Sequence, residues 1–312
     1  MATPPPGFQI KKRYIAYMFL CMVTLYVIVP QIGGLQKSLP LIAHAKQEFA
    51  FLALAITLFS YVAAAGVYTQ LAVKPLKFGR TVFMQFASMF ANRLLPAGIG
   101  GIGINYLYLR KQHHSAVQAA SVVAANNMMG FIGHFLLTLT LLATTNASLP
   151  IGHQSSWKAA LVVLAPGLLV LLVVALLPSV RRRLFGFFAG VGAQLLTYHK
   201  RPVSLLLALL SSVILTLANI IALQLSCHAV GVQLSLVTTL IIFTFGLSIG
   251  TATPTPGSIG GIEVGLAAGL IAYHVAAAPA VGAVLLYRLI SYWLPLLLGG
   301  LVFVIAKRRQ YF

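Results

Sequence analysis

Thr253-Pro254-Thr255-Pro256-Gly257-Ser258-Ile259-Gly260-Gly261-Ile262-Glu263 decides how this chain folds. Two prolines remove backbone donors, and three glycines favour turns and close approach, so the stretch reads as a break in any helix. Both flanks are strongly apolar, over 236–249 and 264–277. An irregular backbone inside an apolar, membrane-length region is tolerated only where protein or water covers it. The break ends on Glu263, one of only two acidic residues in the chain; the other is Glu48.

A second break lies earlier. Pro96-Ala97-Gly98-Ile99-Gly100-Gly101-Ile102-Gly103 aligns without gaps on Pro256 to Glu263, and Pro, Ile, Gly, Gly and Ile coincide. The apolar segments that follow correspond too, 115–145 with 280–306. Interrupted apolar segments at matching places in two halves are the sequence mark of a transporter's binding site.

Composition fixes the class. The chain has 312 residues, 60% hydrophobic and 7% charged, with a formal charge of +19. Such a chain is an integral membrane protein, because neither soluble nor disordered chains carry several long apolar segments. The bases sit in short clusters between apolar spans and form no aromatic-lined basic face, which argues against nucleic acid as a partner. Cys21 and Cys227 read as packed free thiols, with no metal and no cofactor implied. The first apolar span carries no cleavage signature and is expected to be retained.

A spanning helix needs about 20 apolar residues. Residues 1–13 read as a tail and 14–312 as one membrane domain. Spans are expected over 14–29, 49–73, 115–145, 158–177, 203–225 and 280–306, with an interfacial helix over 184–198. The two breaks, with arms over 81–95 and 104–109 and over 236–253 and 264–274, are too short to cross twice and read as re-entrant hairpins. The expected fold is therefore all-α and polytopic, with about six spanning helices, two hairpins and an inverted repeat of 49–145 and 203–306.

The bases test the orientation. Lys11 to Arg13, Lys74, Lys77, Arg80, Arg110, Lys111, Arg181 to Arg183, Lys200, Arg201 and Lys307 to Arg309 all fall on one side. Only Lys37, Lys46 and Lys158 fall on the other, and Arg93 and Arg288 lie within membrane segments. Both termini are thus expected in the cytoplasm, and the hairpins enter from opposite faces of the cytoplasmic membrane.

Glu263 and the two intramembrane arginines are the leading site candidates. A lone intramembrane carboxylate must pair or take up a proton, and intramembrane ionisable groups mark function by default. Glu263 could bind an ammonium group, carry a proton, or bridge to Arg93 or Arg288. A guanidinium holds a phosphate bidentately, and one Glu cannot neutralise two Arg. Pro96, Gly100, Gly101, Pro254, Pro256, Gly257, Gly260 and Gly261 would supply irregular backbone and helix N-termini to the same site. For any single glycine, close helix packing accounts for the residue equally well. Asn127, with Asn126 and Asn219, could line the path or bond neighbouring helices. His134 and His274 read as structural, and Asn146-Ala147-Ser148 matches a common glycosylation pattern.

The stretch from Thr253 to Glu263, continued by Val264-Gly265-Leu266-Ala267-Ala268, and Ala283-Val-Leu-Leu-Tyr287-Arg288-Leu-Ile-Ser-Tyr-Trp-Leu-Pro295 resemble the lysylphosphatidylglycerol synthase transmembrane-region family, the flippase-like part of the multiple peptide resistance factor. The resemblance spans nearly the whole chain and adds Tyr287 to the candidate residues. It implies a lipid flippase-like domain acting on aminoacylated phosphatidylglycerol or, in other members, on other lipids. Expected partners are anionic or aminoacylated phospholipids or a polyprenyl phosphate, a separate soluble synthase, and a second copy of the chain. Two departures stand out. No aminoacyl transferase domain is expected in this chain, and the first break reads Gly-Gly-Ile-Gly-Ile-Asn105 where family members often carry charged residues. The competing reading is the membrane component of an aminoacyl-lipid synthase or lipid-linked glycosyltransferase whose catalytic domain is on another chain. The absence of aspartate and the single embedded Glu count against catalysis here.

Overall fold

The computed structural model describes residues 40–95, 98–144, 196–253 and 255–312. The expected spans over 14–29 and 158–177, the tail and nearly all of the interfacial segment lie outside the described residues, as do Pro96, Pro254 and Asn146.

The described residues are helical throughout, with short connections and no strand. In chain order the helices are α1 (Gln47–Leu71), α2 (Phe78–Leu94), α3 (Ile99–Lys111), α4 (Ala116–Thr144), α5 (Pro202–Ala229), α6 (Leu236–Ala252), α7 (Gly261–Ala272), α8 (Ala277–Arg288) and α9 (Leu294–Arg308). A π turn, Leu289–Trp293, joins α8 to α9, so that Ala277–Arg308 runs on as one 32-residue apolar rod. This rod, α1, α4 and α5 are the four described helices long and apolar enough to cross a membrane. Their outer faces carry exposed Phe51, Phe135, Leu297 and Leu301. Lipid tails are as apolar as these side chains, so such faces belong in the bilayer. The chain is an all-α polytopic membrane protein.

Between the helices, small residues do the packing. The antiparallel pair α1 and α5 buries Ala53, Ala63, Ala65, Ala208, Ala218 and Ala222. A Cβ on Gly66 would come within 2.8 Å of Ser211 Oγ. Without a hydrophobic force between helices in lipid, backbone proximity and dispersion hold them together.

Two helical hairpins fill the space beside this pair. In the first, α2 and α3 pack together across the break at 95–98; in the second, α6 and α7 pack across 253–260. The glycines of the breaks differ from expectation. Gly100, Gly101 and Gly103 lie inside α3, and helix resumes at Gly261, so the second arms are longer than 104–109 and 264–274. The reason is close packing. A Cβ on Gly100 would lie 1.9 Å from the carbonyl oxygen of Ala91, and one on Gly261 would lie 2.2 Å from Thr253 Oγ1. Among the described residues of the breaks, positive φ is taken by Gly98 in the first, and by Gly257, Ser258 and Gly260 in the second.

Both second arms end identically. His114 N–H donates to Leu109 O and His113 N–H to Arg110 O; Val275 N–H donates to Leu270 O and His274 N–H to Ile271 O. His113 and His274 each take φ of 63°. These are Schellman ends with histidine in the left-handed position usually held by glycine. His274 is thus a helix stop, and His134 Nε2 lies 3.1 Å from Thr244 Oγ1.

The hairpins open at opposite ends of α1. At the Leu71 end, Lys74 N–H donates to His114 Nε2 (3.1 Å), Arg80 stacks on Tyr311 (4.8 Å) and Tyr198 O–H donates to Leu71 O (2.6 Å). The basic clusters at 74–80, 110–111, 200–201 and 307–309 therefore gather at one end. At the Gln47 end, Lys46 N–H donates to Ala229 O, and Ile42, Ala45, Val230, Tyr273 and Val275 pack against one buried core.

Candidate functional site

The second break meets the helix that leads into the first. The turn Pro256–Ser258 packs against α2, and the site forms where this turn, the end of α2 and the π turn converge.

Glu263 is placed by the start of α7. It is the third helical residue, and its Oε2 accepts from Gly260 N–H at 2.7 Å, occupying one of the orphan donors of the helix N-terminus. Its Oε1 accepts from Arg288 Nε at 2.6 Å. Arg288 Nη2 also faces the carbonyl of Gly257 at 3.4 Å. The Glu263–Arg288 pair is the single salt bridge among the described residues, with side chains 12% and 8% exposed.

Arg93 finds a different partner. Pro295 has no N–H, so Ser291 O, four residues before it, loses the donor an α-helix would supply. The helix widens into the π turn there. Arg93 fills the gap: its Nη2 donates to Ser291 O and its Nη1 to Tyr292 O. Nη2 also faces Tyr61 Oη at 3.4 Å, and Tyr292 O–H donates back to the carbonyl of Arg93 at 3.4 Å. Both guanidiniums lie over the Tyr292 ring, Arg93 at 4.6 Å and Arg288 at 4.3 Å from its centroid. A ring face attracts cations, which lets two like charges share one neighbourhood. Gly257 is required beside this ring, because a Cβ there would fall 2.5 Å from Tyr292 Cε2 and φ is +59°.

The charge count follows. The chain has two carboxylates. Glu48 is exposed in the first turn of α1, and Glu263 is committed to Arg288. Arg93 is left with carbonyls and a ring but no carboxylate, so the cluster carries one excess positive charge.

Two cavities adjoin it. One, of about 670 Å³, is bounded by Gln85, Ser88, Asn92, Arg93, Gly101, Asn105, Asn126, Asn127 and Asn219 among others. The other, of about 460 Å³, is bounded by Asn92, Arg93, His134, Asn219, Gly257, Tyr287, Arg288 and Tyr292 among others. Asn92, Arg93 and Asn219 belong to both, so the cavities share a wall at Arg93. In the larger cavity Gln85 Nε2 donates to Asn105 Oδ1 (3.1 Å), and Asn105 Nδ2 donates to Ser88 Oγ (2.6 Å) and Gly101 O (3.0 Å).

The expected site residues thus divide. Arg93, Gly101, Asn127, Gly257, Tyr287 and Arg288 line a cavity. Glu263, Gly260, Gly261, Pro256 and Gly100 line neither of these two; they build the scaffold behind it, Gly100 within the α2–α3 contact. Tyr292, Tyr61, Asn92 and the Gln85–Asn105–Ser88 network escaped the sequence reading. Gln85, Ser88 and Asn92 recur at helical spacing along one face of α2, which is the signal that could have found them.

A bundle of long apolar helices enclosing two broken hairpins, with paired intramembrane arginines at the breaks, defines a polytopic membrane protein with a polar interior site. The chain belongs to the lysylphosphatidylglycerol synthase TM region family, whose model matches residues 20–299. It is also 22% identical to the UPF0104 membrane protein PH1989 of Pyrococcus horikoshii, over 96% of this chain and 98% of that protein.

Proposed function

We propose that this chain carries the phosphate-bearing head group of a lipid across the cytoplasmic membrane, in the manner of a flippase. The observation that carries the reading is the excess positive charge at Arg93, on the common wall of two cavities inside a membrane domain. Intramembrane ionisable groups are costly and mark substrate paths. A guanidinium whose partners are neutral carbonyls keeps its charge for an anion, and a lipid phosphodiester supplies one. In this reading Arg93 receives the phosphate, Arg288 reinforces the field, and Glu263 holds Arg288 in place. Membership of a family named for the membrane region of a phospholipid-modifying enzyme supports a lipid as the cargo.

Hairpins that open at opposite ends of α1, and the matching histidine stops of α3 and α7, support an inverted repeat of 49–145 and 203–306. Inverted repeats rock around a central site in secondary transporters. The gathered basic end supports cytoplasmic termini.

The test is lipid translocation in proteoliposomes with tail-labelled phosphatidylglycerol, its lysyl ester and a polyprenyl phosphate. Wild type is expected to move at least one of these, and Arg93→Ala and Glu263→Gln to slow it at least tenfold. A folded wild-type protein that moves none of them overturns the reading.

A further inference from the structure

We infer that the head group this cavity selects is an uncharged, hydroxyl-rich alcohol esterified to the phosphate, a glycerol, inositol or glycosyl phosphate, and that it discriminates against aminoacylated, cationic head groups. The inference rests on the reading of the cavity as a lipid head-group site and narrows its substrate class.

The first argument is charge. A cationic head group needs a carboxylate, and no free one lines either cavity. Glu263 is held on both oxygens, by Gly260 N–H and by Arg288 Nε. Glu48 lies exposed at the start of α1. A lysyl ammonium would instead meet Arg93. Two like charges about 7 Å apart, at an effective dielectric of about 20, are disfavoured roughly fifty-fold.

The second argument is the amide lining. Asn126 and Asn127 sit mid-helix on α4, a membrane-spanning segment, and their amides have no hydrogen-bond partner among the described residues. Asn219 uses Nδ2 on Leu215 O and keeps Oδ1 open, while Asn92 uses Oδ1 on Gly101 N–H and keeps Nδ2 open. Unpaired amides inside a bilayer are costly unless water or a ligand answers them. Each amide offers a donor and an acceptor, which is the complement of a hydroxyl. The cavity therefore joins one cationic anchor for phosphate to neutral donor–acceptor groups for hydroxyls. A glycerophosphate and a glycosyl phosphate present the same pairing, from a phospholipid and a polyprenyl lipid respectively.

The experiment is equilibrium binding to the purified full chain in detergent, read by native mass spectrometry. The probes are phosphatidylglycerol, phosphatidylinositol, lysyl-phosphatidylglycerol, phosphatidic acid and a glucosyl polyprenyl phosphate. The polyol phosphates are expected to bind at least tenfold more tightly than the lysyl ester, and severalfold more tightly than phosphatidic acid, which has phosphate without hydroxyls. Whichever of phosphatidylinositol, phosphatidylglycerol and the glucosyl lipid binds best names the source. Asn127→Ala should weaken polyol-phosphate binding severalfold and so narrow the margin over phosphatidic acid. Asn127→Asp should raise lysyl-ester binding about tenfold relative to phosphatidylglycerol, a gain that a misfolded variant cannot produce. Equal or tighter binding of the lysyl ester by wild type overturns this inference and leaves a phosphate site standing. Binding of no phosphate lipid overturns the head-group site itself.

Discussion

Glu263 answers Arg288 and not Arg93, and local backbone decides which. The start of α7 fixes the carboxylate three residues after Gly260, and the end of α8 delivers Arg288 Nε to it at 2.6 Å. Removing one partner of a buried pair leaves a charge with no answer, a loss of about 3–5 kcal/mol. Glu263→Gln is therefore expected to lower the thermal unfolding midpoint in detergent sharply, and Glu263→Gln combined with Arg288→Met to recover most of the loss. A single variant as stable as wild type would show that the pair contributes nothing to the fold. The sequence made both arginines visible as intramembrane charges but left the pairing open. Arg93 and Arg288 are each far from Glu263 in sequence, and only the assembled helices choose between them. Tyr292 stayed hidden because an aromatic in an apolar span reads as core until two guanidiniums are found over its ring.

At the scale of the element, the hairpins show glycine in two roles. Gly265 lies against α6 so closely that a Cβ would be 2.8 Å from the Cα of Gly246, whereas a Cβ on Gly103 meets nothing within 4 Å. The same substitution should then have opposite signs. Gly265→Ala is expected to cost about 1–3 kcal/mol through overpacking against backbone. Gly103→Ala is expected to gain up to about 1 kcal/mol, because alanine fixes a helix at less entropic cost. Unfolding of the two variants in the same detergent checks the contrast, and two shifts of the same sign would refute it. The Pro/Gly pattern located both breaks correctly and overstated their length, since glycines that permit contact and glycines that permit a turn are written with the same letter. Pro295 carried a signal the sequence reading did not use: a proline in a span frees the carbonyl four residues back, and that carbonyl is where Arg93 binds.

For the whole molecule, the charge asymmetry along the bundle is the feature to test. Lys74, Arg80, Arg110 and the residues 307–309 share one end through contacts among their own segments, while Lys46 stands at the other. Lysine- and arginine-rich loops are retained in the cytoplasm. A membrane-impermeant maleimide is expected to label Lys307→Cys only from the cytoplasmic side and Ala276→Cys only from outside; the reverse pattern would invert the topology. Fold class was readable at this scale from the lengths and spacing of apolar runs. The cavities were not, because a cavity is the space left between helices, and no periodicity within one helix records it.

The bond from Arg93 to the π turn spans 198 residues of chain. A ribosome working at about 5–20 residues per second takes about 10–40 s to cover that distance. Through that interval the first hairpin holds a guanidinium whose two carbonyl acceptors have not yet been made. The order of synthesis thus makes the last helix the closing step of assembly, since only with Ser291 and Tyr292 in place does the Arg93 guanidinium find its carbonyl acceptors.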